Sequence, residues 1–351
     1  MRAELLSAVS IALLASAVLT GVVRRFAHAR GLLDMPNPRS SHSTATPRAG
    51  GIAVVLVLTA AVLILEQSGG IAAWLCWALL GGGLAVSAVG LLDDYRSVAP
   101  GLRLVVHAGA AIWAVWLVGV PGLLQTGHHL TYLDWAGSVC AVIGIVWVLN
   151  LFNFMDGIDG IAAGEAAFVS LSGALITLAG SDPHGVATVG LVLGAACLGF
   201  LVWNWPPARI FLGDVGSGYL GYVLAVLSLA AARGNAAALW TWLVLGSLFL
   251  ADATVTLIRR MARGEKIYQA HRSHAYQLLA QRWGSHRRVT LTVTAINVLW
   301  LLPCAVLTTV HPARAPWITL GALAPIVVVI VIAGAGRGAG PHVRMPAGPK
   351  R

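Results

Sequence analysis

Acidic residues are scarce in this chain, 13 in 351, and five of them fall into three short motifs. Leu92-Asp93-Asp94-Tyr95-Arg96-Ser97 carries an adjacent aspartate pair. The stretch from Asn150 through Asn153, Asp156 and Asp159 to Gly160 sets two more aspartates among glycines. Phe211-Leu212-Gly213-Asp214-Val215-Gly216-Ser217-Gly218 isolates one aspartate in a glycine-rich segment. Donors come from His271-Arg272-Ser273-His274-Ala275-Tyr276-Gln277 and from the linker Thr46-Pro47-Arg48-Ala49-Gly50-Gly51. Two like charges side by side repel, so a paired aspartate site implies a cation or a shared proton. Magnesium prefers one or two carboxylates together with phosphate oxygens and retained waters. A glycine-rich loop opening a helix presents backbone N–H groups to phosphate, and Arg and His neutralise the remaining charge. Together these motifs suit a magnesium–diphosphate substrate.

Taken singly, each motif has a plainer reading. Asp156-Gly-Ile-Asp159-Gly fits an ordinary turn, and it lacks the DxDxDG spacing of a calcium loop. His271 and His274, at i and i+3, share a face if helical, but no Cys or third His completes a zinc site. Asp252, inside an apolar run, reads as a buried structural partner for Arg259 or Arg260. Cys76, Cys140, Cys197 and Cys304 show no CxxC or metal spacing and read as reduced packing residues within the membrane.

The elements that must position these motifs are legible from composition. Hydrophobic residues make up 58% and charged residues 10%, and the mean hydropathy is +0.81. Soluble domains carry about a quarter charged residues, and a chain this apolar is not disordered. The predicted fold is all-α, a polytopic membrane protein of about eleven spans (Leu5–Val23, Gly50–Leu65, Ile71–Leu92, Leu104–Val120, Leu133–Phe152, Ile161–Ala179, Val186–Val202, Tyr219–Ala232, Ala237–Ile258, Val289–Val310 and Trp317–Ala333). Continuous apolar runs exclude the alternation of barrel strands. Residues 1–336 read as one transmembrane domain and 337–351 as a flexible cytoplasmic tail. An external N-terminus, with an uncleaved first span, and a cytoplasmic C-terminus place 20 of the 23 Lys and Arg residues inside. The net charge of +10 therefore records orientation and anionic lipid, and no basic soluble domain exists for nucleic acid. All the polar motifs then meet at the cytoplasmic interface, where a nucleotide arrives from the cytoplasm and a lipid acceptor from the bilayer.

The motifs resemble those of the polyprenyl-phosphate sugar-1-phosphate transferases. That family includes the initiating enzymes of O-antigen, enterobacterial common antigen and teichoic acid synthesis, and the phospho-MurNAc-pentapeptide translocase. The matching residues are Asp93-Asp94, Asn153 through Asp156 and Asp159 to Gly160, Phe211 through Asp214 to Ser217, the His271–His274 loop and Thr46–Gly51. The resemblance implies transfer of N-acetylhexosamine-1-phosphate from a UDP-sugar to undecaprenyl phosphate in a bacterial inner membrane, with release of UMP. It implies Mg2+, with Mn2+ as a substitute, on Asp214 and Asp156. Asp93, with Asp94, binds or deprotonates the acceptor phosphate. Asn153, Asp156 and Asp159 line the nucleotide and metal site, and Phe211 stacks on uracil. His271, Arg272, His274 and Arg48 contact the donor, and a homodimer is compatible with the family.

The loop reads His-Arg-Ser-His where the translocase branch has consecutive histidines, and Arg96 and Ser97 stand where that branch has lysine. Both departures favour the O-antigen or capsule branch, with a translocase-like reaction as the alternative. A secondary transporter, the rival from another class, is disfavoured because the acids sit at one interface and the halves do not match. A phosphatidyl-alcohol synthase needs an Ala-Arg after its Asp-Gly signature that is missing here. A membrane protease is disfavoured by the lack of HExxH and Gly-x-Ser-x-Gly.

Overall fold

Without water to satisfy them, backbone N–H and C=O groups in lipid must pair within their own segment, so each apolar run becomes a helix. The computed structural model describes residues 2–35, 44–120, 132–180, 182, 184–265 and 271–337. In chain order the helices are α1 (Arg2–Ala29), α2 (Ile52–Gln67), α3 (Ala73–Tyr95), α4 (Pro100–Val118), α5 (Tyr132–Met155), α6 (Ile161–Ala179) and α7 (Val186–Asn204). They continue with α8 (Asp214–Gly234), α9 (Ala237–Leu245), α10 (Ser247–Ala262), α11 (Ala275–Trp283), α12 (His286–Ile296), α13 (Leu302–Val310) and α14 (Ala315–Ala333). A π-helical turn, Asn297–Leu301, joins α12 to α13. The linker after α1 forms a two-residue antiparallel pair, β1 (Leu33–Asp34) with β2 (Thr46–Pro47). Residues 36–43 of that linker and the tail beyond Arg337 lie outside the described residues.

Among the described residues, nine helical segments are long and apolar enough to cross a membrane. The segment expected as the ninth span is instead α9 and α10, bent by 73°, with Gly246 between them. The segment expected as the second span is a helix of only 16 residues, α2. The protein is a multi-pass membrane protein.

Helix α8 is the centre of the bundle. Its apolar window is 89% buried, against 22% for α1, and it packs on α3, α4, α5, α6 and α9. Close packing is achieved with small residues: a Cβ at Gly90, near the end of α3, would overlap the backbone of Asp214 and Val215. The acidic end of α3 is thereby held against the first turn of α8. Tyr222 in α8 donates from its hydroxyl to the carbonyl of Ala78 in α3 at 2.7 Å, satisfying a buried polar group. Large apolar side chains such as Ile11, Trp116, Leu299 and Ile332 face outward as a lipid-facing surface. Cys76, Cys197 and Cys304 are buried as expected, but Cys140 is exposed on the outside of α5.

Candidate active site

Each polar motif ends or begins a helix, and the antiparallel course of the bundle delivers those ends to one pole. Asp93 and Asp94 close α3, Asn153 lies in the last turn of α5, and Asp214 opens α8. Arg103 lies in the first turn of α4, just after Pro100, whose fixed φ suits that position.

Arg103 joins the group electrostatically. Its Nη1 contacts Oδ2 of Asp93 and, at 3.0 Å, Oδ2 of Asp214. The other oxygen of Asp93 accepts from the backbone N–H of Val98 at 2.6 Å. One cation therefore links carboxylates from two helices that are far apart in sequence.

Asp94 faces the other way. Its two carboxylate oxygens accept from the backbone N–H groups of Asp214 and Val215, each at 3.1 Å. The first amides of a helix have no partner within it, so Asp94 acts as a cap supplied by another helix. Gly213 makes this approach possible: its φ is 76°, and a Cβ there would press on the Asp94 carboxylate.

The Asp156–Asp159 turn is pinned from several sides. The N–H of Gly160 donates to Oδ1 of buried Asn204 at 3.0 Å, and Asn204 Nδ2 donates to the carbonyl of Ile210 at 2.9 Å. Asp159 Oδ2 accepts from the N–H of Ala208 at 3.1 Å and lies 3.3 Å from His286 Nδ1, while Thr290 donates to the Asp159 carbonyl at 3.0 Å. Asp159 is thus engaged in holding the turn. Burial, together with the charges of Asp214, Asp94 and Asp159, pushes the Asp156 carboxyl well above the usual carboxylate range. Asn153 Nδ2 reaches Ser217 Oγ in α8 at 3.2 Å.

The first linker closes one side. Backbone bonds run from Phe211 N–H to the Pro47 carbonyl, from Gly50 N–H to the Phe211 carbonyl and from Gly51 N–H to the Leu212 carbonyl, all 2.9 Å. Arg48, expected to contact the donor, is paired with Asp34 at 2.7 Å, its side chain 41% exposed. It stands at the rim and remains accessible.

The histidine loop corrects two expectations. His271 and His274 are not on one helical face, because both precede the first residue of α11. They meet instead as stacked rings with centroids 4.8 Å apart. His274 is 2% exposed, whereas His271 and Arg272 are only partly buried. Burial, with the charges of His274 and Arg260, lowers the His271 pKa to about 4. Asp252 is a buried structural partner, but not of Arg259 or Arg260. It accepts from the N–H groups of Ala275 at 2.9 Å and Tyr276 at 3.1 Å, anchoring the start of α11. Arg259 instead donates to the Ala335 carbonyl, and Arg260 pairs with Glu265. Tyr276 donates from its hydroxyl to the Phe154 carbonyl at 2.9 Å, tying this loop to the Asp156 turn.

Among the described residues no three His, Cys, Asp or Glu side chains are grouped as a protein-only metal cage. The donor set fits magnesium of the kind held by one or two carboxylates, waters and substrate phosphates. Asp156 and Asp214 share such a neighbourhood, since the charge of Asp214 acts directly on the Asp156 carboxyl.

Arg103, Asn204 and His286 were not singled out by motif, and Tyr276 stood within the histidine motif without a role of its own. Arg103 carried one readable signal, as an ionisable residue at the start of an apolar run ten residues past Asp93. Nothing local marked Asn204 or His286.

A helical bundle with five aspartates, one bridging arginine and a helix N-terminus at a single pole has the architecture of a polytopic membrane transferase. The family described as Glycosyl transferase family 4 matches residues 76–232, which hold the three aspartate motifs. The chain is 29% identical to the probable undecaprenyl-phosphate N-acetylglucosaminyl 1-phosphate transferase of Bacillus subtilis, over 85% of this chain and 83% of that protein. It is 30% identical to the decaprenyl-phosphate N-acetylglucosaminephosphotransferase of Mycobacterium tuberculosis, over 78% and 75%. It is also 30% identical to the phospho-N-acetylmuramoyl-pentapeptide-transferase of Mycolicibacterium vanbaalenii, over 85% and 93%. The chain belongs to glycosyl transferase family 4.

Proposed function

We propose that this enzyme transfers an N-acetylhexosamine-1-phosphate from a UDP-sugar to undecaprenyl phosphate at the cytoplasmic face of a bacterial inner membrane. The supporting observation is the Asp93–Arg103–Asp214 bridge beside the N-terminus of α8. An oxygen of the lipid phosphate attacks the phosphorus that carries the sugar. The bond from that phosphorus to the bridging oxygen breaks, and UMP leaves with the bonding pair. With an ionised acceptor, no net proton moves.

Positioning and charge neutralisation supply most of the catalysis in such transfers. Arg103 holds the acceptor phosphate, and Asp93 orients its guanidinium. Asp94 positions Asp214 by capping α8 rather than reacting itself, as both its oxygens are occupied by amides. Asp214 and Asp156 hold magnesium, which when bound supplies positive charge to the donor diphosphate. Asn153 and Phe211 line the nucleotide side, Phe211 stacking on uracil, and Asp159 keeps the turn in place. His271, Arg272 and Arg48 contact donor phosphate or sugar, with His274 buried behind His271.

The Arg272 and Ser273 that stand between the two histidines support an O-antigen or capsule type of donor over MurNAc-pentapeptide. The test is a panel of UDP-N-acetylhexosamines offered with undecaprenyl phosphate to the purified protein. UMP release and a polyprenyl-diphosphate-sugar identified by mass are expected. Absence of both with every donor, including UDP-MurNAc-pentapeptide, overturns the reading.

A further inference from the structure

One turn of helix beyond Arg103, the α4 sequence places His107 in an otherwise apolar stretch. Residues four apart share a helix face, so Arg103 and His107 point the same way. His107 is 8% exposed, and its Nδ1 is buried without a hydrogen-bond partner. A buried ring nitrogen left unpaired is costly unless something absent from the protein itself satisfies it.

That something has a place to sit. His107 lines a small cavity enclosed by α3, α4, α5 and α8, which it shares with Arg103, Asn150, Asn153 and Asp214. The remaining wall is apolar, formed in part by Val86, Leu149 and Gly218. The cavity is amphipathic, polar toward the acidic pole and hydrocarbon-like deeper in the bundle. Its free space is roughly that of one water molecule. A sugar ring or a uracil cannot enter, whereas a single oxygen of a phosphate held at Arg103 can.

We propose that His107 is a ligand of the lipid acceptor, its Nδ1–H tautomer donating to one non-attacking oxygen of the polyprenyl phosphate. Arg103 neutralises the phosphate from above, and His107 fixes its rotation by holding one oxygen about a helical turn deeper. The attacking oxygen is then left facing Asp214 and the donor. An imidazole suits this depth because it donates a hydrogen bond without bringing a permanent charge into the membrane. The inference rests on the proposed transfer to polyprenyl phosphate, and it adds a substrate contact that none of the aspartate motifs contains.

The experiment uses the purified full-length enzyme in detergent, with His107→Leu, His107→Asn and His107→Gln. UMP release gives the KM of each substrate, and melting is followed with farnesyl phosphate or farnesol in the absence of donor and metal. His107→Leu is expected to raise the KM for undecaprenyl phosphate at least ~10-fold, the scale of one lost hydrogen bond to a charged group, with the donor KM within twofold. It is also expected to abolish the stabilisation by farnesyl phosphate over farnesol. His107→Gln, which keeps a donor at similar reach, is expected to recover most of both effects. If His107→Leu does not fold, His107→Asn decides, because its shorter amide withdraws the donor and an unchanged acceptor KM there overturns the proposal. An unchanged acceptor KM in His107→Leu, the result if only a water sits on His107, overturns it equally. So does a rise confined to the donor KM. A wild-type enzyme that releases no UMP would instead refute the proposed function.

Discussion

Removing Arg103 is the most informative perturbation of the acidic pole. In Arg103→Ala, Asp93 and Asp214 lose the cation between them. At 3.0 Å and an effective dielectric of ~20, the Arg103–Asp214 attraction is ~5 kcal/mol before desolvation. The side chains of Arg103 and Asp214 are 29% and 34% exposed, so solvent screening and desolvation reduce the net contribution to ~1–2 kcal/mol of stability. The catalytic loss should exceed the stability loss. A charged donor that holds a reacting phosphate contributes ~10²–10³ in rate, so kcat/KM for the acceptor should fall by that factor. One nitrogen, Nη1, serves both carboxylates. Arg103 therefore acts as a point charge here, without a two-pronged fork, and Arg103→Lys should recover activity to within ~10-fold of wild type. The assay is UMP release with both substrates varied, alongside melting in detergent. A folded Arg103→Ala enzyme with kcat/KM within threefold of wild type would refute the reasoning, as would a lysine variant no better than alanine.

Asp214→Asn keeps size and removes charge, and kcat should fall at least ~10²-fold with altered magnesium dependence; near-normal turnover with unchanged dependence removes Asp214 from the metal role. His274→Ala should mainly lower the melting temperature, since the ring is 2% exposed, whereas His271→Ala should raise the donor KM with little change in melting. The two effects appearing on the opposite residues would reverse these assignments. The lowered His271 pKa, about 4 against an ordinary 6.5, means the unfolded chain takes up that proton first as pH falls. Stability should therefore decline from pH 6.5 toward 4, and His271→Gln should flatten that limb in melting experiments; an equally steep limb in the variant would exclude His271 as its source. With the N-terminus outside, a cysteine introduced at position 159 in a cysteine-free background should resist impermeant reagent in intact cells, and ready labelling would invert the topology.

The sequence by itself determined that this is a helical membrane protein with its aspartate motifs at helix ends. That much depends only on hydropathy and on where helix ends fall, both local properties. Asp93, Asn153, Asp156 and Asp214 could be found because each lies in a short motif at the end of an apolar run. The division of labour among them could not be read in this way. Asp93 and Asp94 are neighbours of one residue type, yet one meets Arg103 and the other caps α8. Their directions depend on how α3, α4 and α8 approach, and close contact at Gly90 sets that approach. Asp252 looked like a partner for arginines about two turns away, but it binds amides 23 and 24 residues later in sequence. The bend between α9 and α10 and the stacked histidines ahead of α11 likewise depend on packing between segments. His107 is the plainest case, a lone histidine in an apolar run until four helices close a cavity around it and leave its Nδ1 unpaired. Burial and partnership are set by distances across the bundle, and a linear pattern carries no record of those distances.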